Sequence, residues 1–547
     1  MKKILLIIFV SLINLTYAQS SYDITEFTNE KAKTRGGSFI GIDDDGYVYT
    51  VSYKTTNLFI TILTQAYLKV FDAQTGRMHT EVPLERSKAL KSIGMEYVTL
   101  SFIGEQPTII CKKAKSESPE RYYGVHIDRN GSLQGEIFEI GESGECKGFR
   151  NRSKSNYSGV YQSRPESENM SFISNISCSG DDFKTYRVLE LSDDFNIENT
   201  FTFQLDFESV SGLTFVTSGE HLYLRVLTRE KKSVDGKVFK KWITKHRLYS
   251  VNRTSGAIEE INVQEGFDSI LLGDFRIKAV DKGVLISGQI IEQIGFSGIF
   301  SALYSDDIGR ITDIQTEYFD KDFVTKYWTD KQKKKDDRKR NRRGKNDDDD
   351  DDEEGGFSTN FKLIETFETS DEGLISVFQE YRLKIVTTTT RGANGVTSTT
   401  TTYYYYYEEV MVVKTGKDGE IEYTKLLPFY QLTINYNPGK GYSALKSDND
   451  IYFLHGTSNE IDEMIDEGKK SNKRSKRRDR KIQFASITHL SNAGDIDTEQ
   501  ILDLKEANIS IDPSVVGVDE KNKQFVIVSP VMKLFKLKKT KIVRIAL

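Results

Sequence analysis

Apolar and polar residues alternate with period two over most of the chain, and turn residues interrupt the alternation at short intervals. The clearest stretch runs from His246 to Gly266, HRLYSVNRTSGAIEEINVQEG. In its first arm Leu248, Ser250 and Asn252 alternate with Arg247, Tyr249 and Val251, and in its second Ile258 and Ile261 bracket Glu259 and Glu260. Successive side chains of a strand point to opposite faces, so the pattern predicts two strands. Between them Asn252, Arg253, Thr254, Ser255 and Gly256 supply side chains that bond the local backbone and one residue that tolerates positive φ. These are the ingredients of a tight antiparallel hairpin.

The same order of apolar strand, Asp or Asn, Gly and second strand returns in KVFDAQTGRMHTEV, GVHIDRNGSLQGEIFEI, ALYSDDIGRITDIQTEYF, VVKTGKDGEIEYTKLL and ITHLSNAGDIDTEQIL. VLELSDDFNIENTFTF is a looser copy, with Asn196 where the others place Gly. The turns lie roughly sixty residues apart once insertions are set aside, a period suited to four short strands and their loops. Further strand-like runs precede the hairpins, among them DDDGYVYTVSY, GEHLYLRVL, DKGVLISGQII, DEGLISVFQEY, DNDIYFLHG and KNKQFVIVS.

On this repeat the chain resembles the β-propeller superfamily, in which four-stranded antiparallel units surround an axis and leave only short edges. Neither the GH…WD of WD40 repeats nor a kelch di-glycine pattern is present, so the resemblance names no narrower family. It implies an all-β fold of four-stranded antiparallel blades. The strand at Tyr22 to Phe27 has no hairpin partner, and three C-terminal strands, Val515 to Val518, Phe525 to Val528 and Ile542 to Ile545, lack a fourth. The N-terminal strand would complete that last blade and close the ring. Seven hairpins and the composite unit give eight blades, with seven as the alternative. The blades are expected at 35–85, 95–142, 155–206, 211–265, 272–320, 357–430, 441–505, and 510–547 with 21–28.

A chain of 547 residues with 11% aromatic residues and only 8 Pro fits one large repeat fold, and no Pro- or Ser-rich linker divides it. The N-terminus, MKKILLIIFVSLINLTYAQS, has two lysines, an apolar run and then Thr16, Tyr17 and Ala18. It predicts a signal peptide over 1–18 and export to the periplasm, the outer membrane or the exterior. Its style resembles that of Bacteroidota. No later run approaches the roughly 18 apolar residues of a membrane helix, so no membrane span is expected. Cys111, Cys146 and Cys178 allow one disulfide and leave at least one thiol over. Two charged insertions, 330–356 and 459–481, contain few apolar residues; the first is expected to be disordered and the second partly so.

In a propeller, the connections between second and third strands share one face with the connections between blades. The long lysine-rich segments fall on that face, which predicts a basic rim despite a net charge of −5. Lys232, Lys241, Arg391, Lys533 and Lys536 are the binding candidates there, with Tyr403 and Tyr405. The tyrosines belong to KIVTTTTRGANGVTSTTTTYYYYYEEVMVV, where Asn394-Gly395 predicts a long projecting hairpin able to dock a partner or stack on a sugar.

Signatures of chemistry are sparse. YSDDIGRIT matches the S-x-D-x-G part of the Asp box of sialidase-type propellers, which is itself a turn. The acidic run from Asp347 to Glu354 lacks the spacing of an EF-hand loop, and His79, His126, His221, His246, His455 and His489 show no zinc-ligand spacing. No G-x-S-x-G elbow, P-loop or dinucleotide fingerprint occurs. Asp274 and Asp512 are the carboxylates placed where first strands begin.

The expectation is therefore an exported, non-enzymatic binding or scaffolding propeller without cofactor or metal. Its ligand would be an anionic polysaccharide, lipopolysaccharide or an acidic envelope protein, and not nucleic acid. The alternatives are a polysaccharide hydrolase or lyase with its site at the central mouth, and a subunit of an envelope assembly docking through the Thr/Tyr hairpin.

Overall fold

In the computed structural model, the described residues run from Tyr22 to Leu547. They omit 30–37, 144–159, 163–169, 178–182, 328–332, 335–360, 459–481, 512–515, 531–539 and loop stretches of at most five residues. The fold is all-β and propeller-like, with eight successive antiparallel sheets of four strands each in chain order. Sheets 1 to 7 cover 38–83, 95–142, 160–205, 210–261, 271–318, 361–427 and 442–503. Sheet 8 joins Val516–Asp519, Gln524–Pro530 and Thr540–Ala546 to Asp23–Asn29, with Asp23 opposite Ala546 and Asn29 opposite Thr540. These spans lie close to the units read from the hairpin repeat. Sheet 6 carries a fifth strand, Gln431–Ile434, paired with the tyrosine run so that Tyr404 faces Ile434 and Tyr407 faces Gln431.

The signal segment, the insertion at 459–481, Cys146 and Cys178 lie outside the described residues, as does the insertion at 330–356 apart from Lys333 and Lys334. Cys111 is a buried free thiol whose pKa is pushed up to about 12 by burial. Among the described residues, no helix is long and apolar enough to cross a membrane.

The turns explain the repeat. In the hairpin around Asn252, the Asn252 carboxamide oxygen accepts from the backbone N–H of Thr254 and Ser255, at 3.1 and 2.9 Å. Gly256 closes the turn at φ 71°, where a Cβ would come 2.2 Å from the Thr202 carbonyl oxygen of sheet 3. The glycine thus serves both the left-handed backbone and the approach of the neighbouring sheet. In the looser copy, the left-handed residue is Phe195 at φ 61°, one position before Asn196, and its ring stacks on Phe138 at 4.4 Å. The Asp-box-like segment is a turn, closed by the Gly309 N–H donating to the Ser305 carbonyl.

Period-two alternation builds the core between sheets. Leu222, Leu224 and Val226 of one sheet 4 strand pack toward Val188 and Phe201 of sheet 3. Tyr223, between them, packs with Leu248 toward Phe275 and Phe300 of sheet 5. Second and third strands are covered on both faces, which is why they read as nearly continuous apolar runs. Each large apolar side chain so buried contributes roughly 1.5–3 kcal/mol. The first and last sheets also share a cluster, in which Val48 and Phe71 meet Val526, Val528 and Ile542. Arg225 and His246 have the parity of Tyr223 and Leu248, so sheet 4 aims both at sheet 5.

Candidate active site on the first strand of sheet 5

Among the described residues, the pairing of first and second strands slips in five of the sheets. The slips lie between Phe39 and Gly41, Tyr97 and Thr99, Val210 and Gly212, Leu272 and Phe275, and Leu363 and Glu365. A bulge leaves a residue outside the ladder and re-aims its side chain. The residues left out are Ile40, Val98, Ser211 and Ile364 in four sheets, and Gly273 with Asp274 in sheet 5. Only sheet 5 sets a charge there. Gly288 on the paired strand makes room for it, because a Cβ would come 2.5 Å from the Phe275 Cβ and 2.7 Å from the Asp274 carbonyl oxygen.

The Asp274 carboxylate gathers partners from its own sheet and from sheet 4. Arg225 donates to its Oδ1, His246 Nδ1 lies 3.3 Å from the same oxygen, and Arg276 Nη1 lies 3.6 Å away. Arg225 Nη2 also lies 3.0 Å from His246 Nδ1. Arg276 reaches onward to the Leu363 carbonyl of sheet 6 at 3.2 Å, and Lys362, next along that strand, is within electrostatic reach of Asp274. Arg225 is 3% exposed, whereas Asp274 and Arg276 are each 25% exposed. The cluster therefore rests on a buried guanidinium and opens through Asp274, Arg276 and Lys362.

Burial sets the protonation states. Desolvation pulls the Arg225 guanidinium down to about 10, opposed by Asp274, and it stays charged at neutral pH. Burial lowers the His246 imidazole to about 4, against the pull of Asp274, with Arg225 and Arg276 adding to the fall. At neutral pH this imidazole is uncharged and keeps a lone pair.

Beside the cluster stands the Thr/Tyr ribbon, strands Leu374–Arg391 and Thr397–Thr415 of sheet 6. Cross-strand register puts Tyr381 opposite Tyr407, Leu383 opposite Tyr405, Ile385 opposite Tyr403 and Thr387 opposite Thr401. Cross-strand partners share a face. This face is thus a ladder of aromatic and aliphatic side chains ending in threonines. Lys362 sits 4.0 Å over the Tyr381 ring, the Tyr381 and Tyr405 centroids are 6.5 Å apart, and Tyr405 and Tyr403 stack at the same distance. The aromatic face is continuous with the charged cluster through Lys362.

The residues expected from sequence are distributed unevenly over this region. Tyr403 and Tyr405 lie on the ladder, with Tyr403 40% exposed. Arg391 is the exposed last residue of the ribbon's first strand. Lys232 and Lys241 lie on the two arms of the sheet 4 hairpin, near a register shift between Lys231 and Ser233. Lys533, Lys536 and Asp512 fall outside the described residues. Asp274 is where the strand assignment put it. Arg225, Arg276 and Lys362 were not anticipated, and His246 stood out in sequence only as one of six histidines without zinc-ligand spacing. The one available signal was the polar residue on a first strand whose counterparts are mostly apolar.

No family model and no curated protein matches the chain. Among solved structures, it aligns with a polysaccharide lyase at 10% identity over 95% of this chain and 91% of the other, with a TM-score of 0.33. An α-L-arabinofuranosidase from Lactobacillus brevis aligns at 9% identity over 53% and 92%, with a TM-score of 0.23. A Synechocystis apocarotenoid oxygenase variant aligns at 8% identity over 89% and 95%, with a TM-score of 0.29. The expectation of a chain without catalytic activity is corrected here, since the solved chains it resembles are enzymes by their titles. At these TM-scores the likeness carries no argument about chemistry, and the catalytic reading rests on the Asp274 cluster itself.

Proposed function

We propose that the protein is a polysaccharide-active enzyme of the eliminating type, acting on an anionic, uronate-bearing chain at the Asp274 cluster. In this reading the eight sheets are blades of a closed ring, and the cluster lies at its loop-rich mouth. The observation that carries it is the company of Asp274: one carboxylate held with an imidazole and guanidinium groups. Glycoside hydrolysis uses a pair of carboxylates flanking the scissile bond. A lyase needs a cation to neutralise the sugar carboxylate and a neutral base beside it, and the cluster offers both.

Arg276 and Lys362 would receive the uronate carboxylate, lowering the cost of negative charge at the adjacent carbon. Arg225 Nη2 can only donate and lies 3.0 Å from His246 Nδ1, nearer than Asp274 Oδ1 at 3.3 Å, so the resting imidazole carries its proton on Nε2. In the reacting tautomer Nδ1–H would donate to Asp274 instead, and Nε2 would take the proton from that carbon. The electrons released form the C4–C5 double bond, the C4–O bond breaks, and the departing oxygen takes up a proton from water. Asp274 acts as a positioning residue that accepts from Nδ1 in the reacting tautomer, and Arg225 holds Asp274. The tyrosine ladder supports neighbouring sugar rings by stacking. Export, as expected from the N-terminal segment, would bring such an enzyme to extracellular polysaccharide.

The test is turnover of polygalacturonate, alginate and hyaluronate, followed by the ultraviolet absorbance of the new double bond. Wild-type protein should turn over one of them. His246→Ala should lower kcat at least a hundred-fold, in the range found for general-base loss. Because burial holds the imidazole near 4 rather than its ordinary 6.5, the acid limb of kcat/KM is expected near pH 4. Absence of turnover on all three, or full activity in His246→Ala, would refute the reading.

A further inference from the structure

On the ribbon face opposite the tyrosine ladder, the pairing slips a second time, between Gln379 and Tyr381. Gln379 pairs with Val410 and Tyr381 with Tyr407, so Glu380 faces both Glu408 and Glu409 across the bulge. All three side chains are buried, at 8, 6 and 8% exposure, and carboxylate oxygens of the three lie within 4.8 Å of one another. Glu380 Oε2 and Glu409 Oε2 are each fully enclosed with no hydrogen-bond donor. Arg382 donates to Glu408 at 3.0 Å and packs over the Tyr406 ring at 4.1 Å.

Buried carboxylates without donors are costly, by several kcal/mol for each ion. Three carboxylates against one guanidinium leave two negative charges, which is the charge of one divalent cation. Sharing a single proton between Glu380 and Glu409 would still leave one buried negative charge. We infer that Glu380, Glu408 and Glu409 form a binding site for a hard divalent cation, of which Ca²⁺ is the best fit, at the root of the ribbon. An all-oxygen set of three carboxylates, able to supply up to about six oxygens, suits Ca²⁺ better than the softer transition metals. Burial, with repulsion from Glu409 and Glu408 behind it, pushes the Glu380 pKa well up.

The consequence is mechanical. The bulge is where the two ribbon strands leave the body of sheet 6, and Tyr381 and Tyr407 adjoin it in sequence. A bound cation would fasten the two strands there and fix the angle at which the tyrosine ladder stands. The site does not depend on the chemistry assigned to Asp274.

Calorimetric titration of Ca²⁺ into full-length, chelator-treated protein tests this. One tight site per chain is expected, together with Tb³⁺ luminescence sensitised by the adjacent tyrosines. Glu409→Gln should weaken Ca²⁺ at least ten-fold and remove the luminescence, and Glu380→Gln serves in its place should Glu409→Gln not fold. Deleting the acidic run Asp347–Glu354 should leave the tight site intact. Absence of a tight site in wild-type protein, its survival in a folded glutamine variant, or its loss on deletion of the acidic run would overturn the inference.

Discussion

In sheet 4, the bulge between Val210 and Gly212 leaves out Ser211, an exposed residue whose hydroxyl donates to the Leu227 carbonyl at 3.2 Å. In sheet 5, the corresponding bulge leaves out Asp274, which gathers Arg225, His246 and Arg276. The backbone device is the same and the sheets are neighbours. What differs is one side chain and the polarity of the strands facing it. A repeat fold thus keeps its packing constant while a single unit gathers a charged cluster, and that unit is where a change of side chain should be felt most.

The largest effect is expected from breaking that difference directly. Asp274→Ala leaves the guanidinium of Arg225 buried without its carboxylate, and should cost roughly 3–5 kcal/mol in urea unfolding. Ser211→Ala, at the equivalent place in sheet 4, should stay within about 0.5 kcal/mol. Equal effects at the two positions would remove the distinction between the sheets.

A second contrast lies between two buried imidazoles. His455 in sheet 7 is held to about 4 by burial, stacked on Phe429 at 3.9 Å, with Nε2 2.9 Å from the Thr488 hydroxyl. Its native pKa lies below the ordinary 6.5, so as pH falls the unfolded chain takes up the proton first. Stability is then full above pH 6.5 and lost progressively toward pH 4, by on the order of 3 kcal/mol from this residue. Urea midpoints measured between pH 7 and pH 4 should show the loss, and His455→Leu should reduce it.

Gly288→Ala probes the room beneath the bulge. The added methyl meets Phe275 and the Asp274 carbonyl, and should destabilise by about 1–3 kcal/mol while displacing the carboxylate. Thermal unfolding reports the first effect and turnover the second. Smallest of all, Tyr405→Ala should raise KM about five-fold with kcat nearly unchanged, since one stacking contact is worth about 1 kcal/mol. A fall in kcat instead would move the ladder from substrate support into the chemistry.

How far the sequence displayed these features depends on their range. Hairpins such as Asp72 to Gly76 and Asn252 to Gly256 were legible because the chemistry of a turn is local: Asp72 and Asn252 accept from the backbone two and three residues on. Asp274 was legible as a carboxylate near the start of a first strand. Its partners were not, because Arg225, His246 and Lys362 come from two other sheets and each looks in sequence like an ordinary polar residue in an alternating strand. The buried glutamates were hidden for a different reason. Alternation puts Glu408 and Glu409 on opposite faces, and only a one-residue bulge brings both to Glu380. Nothing in YYYYYEEVMVV announces that slip.

The proposed elimination at the Asp274 cluster is tested most directly by the mass of the new non-reducing ends released from a uronate-bearing polysaccharide. Elimination predicts ends lighter than hydrolysis products by one water, formed by wild-type protein and absent with His246→Ala. Saturated ends, or unsaturated ends still formed by His246→Ala, would contradict it.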